Sequence, residues 1–191
     1  MNHIVTIRSH VRSLVYKCAF HKAPNAACGL LLGNVHEKRV EYALPMIEGL
    51  AWSDFRQTPT WIDAHAMIAG QVAAHCQENI VGIYVAVDDD VHADRNEVFG
   101  FIVDSLVARK LPILCVFSTL AGESIWGIAV YWAGAFPHDP LKYKMLPRKS
   151  VAVEHNPRRV LALWNGLRKQ IPNNEVLLTG APPRGSSNAY P

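Results

Sequence analysis

The 191-residue chain has no long hydrophobic run: its longest uncharged stretch, Ser124 to His138, is fifteen residues and is broken by Gly and Pro. A membrane-spanning helix needs roughly 18 or more apolar residues, so none is expected. The opening MNHIVTIRSH lacks an apolar core of signal-peptide length. No CxxC pair occurs among the four cysteines, Cys18, Cys28, Cys76 and Cys115, and each falls within a different apolar segment. That pattern argues against a zinc knuckle or a disulfide frame and suits buried free thiols in a reducing compartment. HExxH is absent, and Gly29-x-x-x-Gly33 lacks the Lys-Ser/Thr that a phosphate loop requires. His65 and His75, ten residues apart on one predicted helix, do not share a face and are expected at or near the surface. Cys115 sits in an apolar run without the electropositive, accessible setting of a thiol nucleophile.

Half of the residues are apolar and 18% are charged, a balance that supports a sizeable core. The net charge of +3 is unevenly spread. Residues 137–191 hold nine Lys/Arg against three Asp/Glu, and residues 1–136 hold ten against thirteen. The basic end lacks interleaved aromatics for stacking on bases, so a solvated extension is favoured over a nucleic-acid arm.

Periodicity predicts a strand over 4–7, then a helix opened by Ser9 and ended by Pro24-Asn25. The run Cys28 to Gly33 reads as a strand buried on both faces. A turn over 34–38 leads to a strand over 40–44 that Pro45 is expected to stop. A loop over 46–57 follows, and Thr58-Pro59 opens a second helix reaching about Glu78. Ile80 to Val87 is the next strand. An acidic loop follows, with Asp88-Asp89-Asp90, and a third helix opens at Asp94-Arg95-Asn96-Glu97 as a capping-box-like start. Consecutive acids in such a loop stay hydrated rather than converge on one ion. Strands over 112–117 and 125–132 close the predicted domain. The expected fold is an α/β sandwich: a mixed sheet flanked by helices rather than a doubly wound parallel one. The chain divides into a domain over 1–136 and a basic extension over 137–191. That extension contains one helix over 157–170 and ends, from Thr179, in a Pro-, Gly- and Ser-rich segment expected to be disordered.

The order of these motifs resembles the JAB/MPN domain. In its metalloprotease members a glutamate precedes the CG-type strand, a His-x-His segment follows a Gly-x-Tyr-like strand, and a Ser and an Asp complete a zinc site. Carried onto this chain, the glutamate position falls on Ala26 and the two histidine positions on Val85 and Val87. The Ser and Asp positions fall near Asp94 and Glu97. Hydrocarbon cannot supply a zinc shell or an open water position, so the resemblance implies no metal, no cofactor and no catalysis. His92 alone offers one imidazole in a loop.

A finer resemblance is to the metal-less branch formed by subunits eight and nine of the ER membrane protein complex. It rests on Lys17 to Ala23, Gly29-Leu30-Leu31, Gly82-Ile83-Tyr84-Val85-Ala86 and Asn96-Glu97-Val98, within about residues 4–132. It implies a non-catalytic scaffold subunit on the cytosolic side of the ER membrane, supporting membrane-protein insertion. Such a subunit docks on other protein subunits, a helical-repeat subunit among them, and meets the membrane only through them. Trp52 and Phe55 in the first long loop and Trp164 in the terminal helix are the expected exposed partner anchors. Three alternatives stay open. They are a metal-less partner of an active deubiquitinase or of a translation-initiation scaffold, a rewired hydrolase using His92 with Asp88 or Asp94, and a nucleic-acid adaptor acting through the basic end.

Overall fold

A computed structural model describes residues 4–20, 26–50, 52–87, 95–119, 126–147 and 155–171. Seven strands form one mixed sheet in the order β6-β5-β4-β2-β3-β1-β7. The strands are β1 (Ile4–Arg8), β2 (Ala26–Asn34), β3 (Arg39–Leu50), β4 (Asn79–Val87), β5 (Ile113–Thr119), β6 (Trp126–Trp132) and β7 (Lys142–Leu146). The helices are α1 (Ser9–Phe20), α2 (Thr58–Cys76), α3 (Arg95–Ala108) and α4 (Pro157–Arg168). A mixed sheet flanked by helices is thus the architecture, as the strand and helix order implied.

The apolar run of β2 is central because both its neighbours are antiparallel partners, β3 and β4. Its alternating side chains feed two separate cores. Cys28, Leu30 and Leu32 face a cluster built with α2, α3 and α4. Ala27 and Leu31 face a second cluster built with α1, through Val11, Val15 and Ala19. Two glycines in this region are required by close approach. A Cβ on Gly82 would lie 1.8 Å from the Ile113 carbonyl of the neighbouring strand. A Cβ on Gly29 would lie 2.5 Å from the Tyr84 ring, which covers that glycine. The motif glycines therefore set strand spacing and ring packing.

Pro45 does not end β3. The strand runs on to Leu50, with a register shift between Cys28/Gly29 and their partners Ile47/Pro45. A proline is tolerated there because the opposite edge needs no donor: β1 pairs with β3 only at Arg39 and Val40 before turning into α1. The region read as a loop over 46–57 is the end of β3 and a 3-10 turn, Trp52–Gln57.

The boundary read at residue 136 falls inside the fold. Leu141 bridges Val130 of β6, and the next residue, Lys142, pairs with Ile4. The two ends of the sheet are thereby drawn together, and the sheet curls around α1. The five residues of β7, KYKML, form a short edge strand with exposed lysines, a composition that discourages further pairing. Beyond it, α4 begins at the predicted residue, Pro157. Asn156 caps it, the side chain accepting from the Arg158 amide, and Pro157 occupies the first turn. Val160, Trp164 and Ile171 belong to the α2–α3 core. The segment from Thr179, expected to be disordered, lies outside the described residues.

Candidate functional site

Val85 and Val87 sit at the end of β4, beside the start of β2, with Cys28 opposite Val85 and Ala27 opposite Ala86. Both valines are buried in the cluster formed with α2 and α3. The position that the resemblance gives to the glutamate, Ala26, begins β2 on the adjacent strand. The fold thus brings these three positions to one end of the sheet. Burial pushes the Cys28 thiol well above its ordinary pKa. Asp88, Asp89, Asp90, His92 and Asp94 lie outside the described residues, as does the side chain of Glu97. Among the described residues no group of three His, Cys, Asp or Glu could hold a metal ion.

The expected surface anchors are placed differently. Trp52 lies in the 3-10 turn, its side chain outside the described residues. Phe55 is fully buried (0% exposed), edge-on to Trp61 at 6.2 Å between ring centroids. Trp164 is also fully buried (0% exposed). Its indole Nε1–H donates to the Pro45 carbonyl at 2.8 Å, and Arg168 Nη1 donates to the same oxygen at 2.7 Å. The physical reason is the open edge of β3. Past Val40 its outward carbonyls have no strand to bond among the described residues, and α4 turns its indole and guanidinium onto them. Neither Phe55 nor Trp164 is exposed to a partner.

His65, expected near the surface, is buried as well. Nδ1–H donates to the Trp61 carbonyl at 2.7 Å, and the ring lies 5.6 Å from Trp164. Burial pulls its pKa below 6.5 and keeps the imidazole neutral.

What the sequence did not reveal is a groove between α1 and α4, floored by the outer half of β3. It consists of two adjoining cavities of about 590 and 180 Å³ that share Leu14 and Leu161. One end is apolar, with Tyr42, Ala43 and Pro157. The other is polar, with Lys17, Cys18, Glu48, Asn165 and the Arg168–Lys169 pair. Cys18 is half-buried. Burial, with the Glu48 carboxylate as the next cause, pushes its thiol up to about 12. A protonated thiol bonded to a carboxylate is a poor nucleophile. Beneath the groove lies Tyr84, whose buried hydroxyl has no hydrogen-bond partner among the described residues. Burial, then Cys18, raises its pKa well above 10. The two helices flanking the groove are about 140 residues apart in the chain, so no local motif announces it.

No helix among the described residues is long and apolar enough to cross a membrane. No family model matches the chain and no curated protein matches it. Among solved structures, it is similar to the solution structure of protein DSY2949 from Desulfitobacterium hafniense. The TM-score is 0.52 at 14% identity, over 80% of this chain and 99% of that one. At that identity the likeness speaks for the fold alone.

Proposed function

We propose that this chain is a non-catalytic, JAB/MPN-type scaffold subunit of a multiprotein assembly. Its best candidate is the cytosolic part of the ER membrane protein complex. One observation carries the reading: Val85 and Val87, at the positions of the family's metal-binding imidazoles, are packed into hydrocarbon. Ala26, at the position of the catalytic glutamate, begins the neighbouring strand. Losing one ligand leaves a site that a neighbour can repair. Losing both imidazoles and the base, with the two imidazole places packed with hydrocarbon, leaves no ligand shell for an ion and its water. A chain that keeps an enzyme's scaffold without its chemistry contributes through interface area and a few anchoring side chains.

The test has two arms. Elemental analysis of the purified full-length chain is expected to show zinc far below one per molecule; a stoichiometric divalent ion overturns the non-enzymatic reading. Affinity purification from native membranes in mild detergent, read by mass spectrometry, is expected to return a set of membrane-complex subunits. Recovery with an active metalloprotease instead moves the chain to the regulatory partner of a deubiquitinase. Recovery alone overturns the scaffold reading.

A further inference from the structure

Resting on the scaffold reading, we infer that the groove between α1 and α4 is the docking site for an acidic, amphipathic segment of a partner protein. The groove follows a helical stripe on each wall. On α1 it is lined by His10, Leu14, Lys17 and Cys18, spaced at 0, 4, 7 and 8. On α4 it is lined by Arg158, Leu161, Asn165 and Arg168, spaced at 0, 3, 7 and 10. Both helices run in the same direction along it, because their first turns line the small cavity and their last turns the large one. The walls are about 12–15 Å long at 1.5 Å per residue, enough for two to three turns of a helix. Leu14 and Leu161 are only half-buried and face the groove at its waist. The β3 floor between them, Tyr42 and Ala43, is already buried, so an occupant with an apolar stripe would cover the exposed halves of Leu14 and Leu161.

Charge selects the occupant. Four cationic side chains line the groove against one carboxylate, Glu48, which already accepts from the Cys18 thiol. Arg168 is committed to the carbonyls of Pro45 and Met46. Lys17, Arg158 and Lys169 make no ion pair among the described residues. Cations in the last turn of a helix compensate its dipole, which accounts for Lys17 and Arg168 without any partner. Arg158 has no such account. It stands in the first turn of α4, which carries no acidic residue, where the dipole disfavours a cation. A carboxylate-bearing segment lying along the groove satisfies Arg158 at one end and Lys17 and Lys169 at the other. Its apolar side then packs on Leu14 and Leu161.

The experiment places a photo-crosslinking amino acid at Asn165, an exposed position on the groove wall, in the full-length chain within its native assembly. A second version carries it at Met67, 75% exposed on α2, as the control. The expected product from Asn165 is a cross-linked tryptic peptide of another subunit that carries Asp or Glu beside apolar residues. Combining Arg158→Glu with Lys169→Glu should lower its yield about tenfold at unchanged melting temperature. Cross-linking from Asn165 only to residues 172–191 of the same chain overturns the inference, because the groove is then filled from within. So does a yield indifferent to charge reversal. An intact assembly with no Asn165 product overturns it while leaving the scaffold reading standing. Failure to recover any assembly removes the scaffold reading and this inference with it.

Discussion

Truncating Trp164 to alanine measures how firmly α4 is held to the sheet. The indole is fully buried against His65 and donates to Pro45. Removing a buried tryptophan side chain costs about 3–5 kcal/mol in lost burial and residual cavity. The hydrogen bond adds little beyond that. Arg168 still donates to the Pro45 oxygen, so the carbonyl is not orphaned and the increment stays at or below about 1 kcal/mol. Trp164→Phe keeps most of the ring and loses the donor, so it should cost about 1–2 kcal/mol. For a chain of this size each kcal/mol lowers the melting temperature by about 2–4 °C. Alanine should therefore lower it by roughly 10 °C and phenylalanine by a few degrees. Urea titrations followed by far-UV circular dichroism give both values, with an unchanged m-value confirming that the unfolding unit is the same. If alanine costs less than about 1 kcal/mol, α4 is not part of the core and the account of the β3 edge is wrong. The same measurement shows why loss of a partner in a Trp164→Ala chain says nothing about a surface contact.

Three further outcomes follow from buried polar groups. Tyr84→Phe removes a buried hydroxyl with no partner among the described residues and should be neutral or stabilising by up to about 1 kcal/mol; a clear loss of stability in the same urea assay would mean the hydroxyl is bonded. Glu41, nearly fully buried, accepts from Arg8 Nε at 2.9 Å and pairs with Arg39 Nη1 at 2.9 Å. Glu41→Gln should cost about 2–3 kcal/mol, below the full penalty for breaking a buried pair because Arg39 keeps Glu37 and Glu78. A cost under about 0.5 kcal/mol would show that the pair is solvated. His65, with its pKa held below 6.5 by burial, resists the proton that the unfolded chain accepts. Stability should therefore be unaffected by this residue above pH 6.5. It should fall as the pH drops below that value, by at most about 1.4 kcal/mol per unit. His65→Phe should flatten that slope, and an unchanged slope would assign the proton uptake elsewhere.

Much of the fold was legible because it is written locally. The apolar run Cys28 to Gly33, the turn after it and the helix starts at Thr58-Pro59 and Asn156-Pro157 each depend on residues within about one turn of themselves. Pro45 misled because the penalty for proline in a strand depends on whether its missing N–H faces a neighbour. That in turn depends on where β1 leaves the sheet. β7 was missed because five residues between prolines carry no pattern until β1 pairs with them.

By itself the sequence determined which chemistry the strand tip can offer, since valine at positions 85 and 87 is hydrocarbon wherever the chain puts it. It also determined the alternation that sends neighbouring β2 side chains to two different cores. Only the tertiary structure decided that Trp164, Phe55 and His65 turn inward, and that α1 and α4 leave a groove between them. The reason is the distance along the chain. Trp164 is anchored by a carbonyl 119 residues away, and burial is a property of such pairs, which no window of sequence contains.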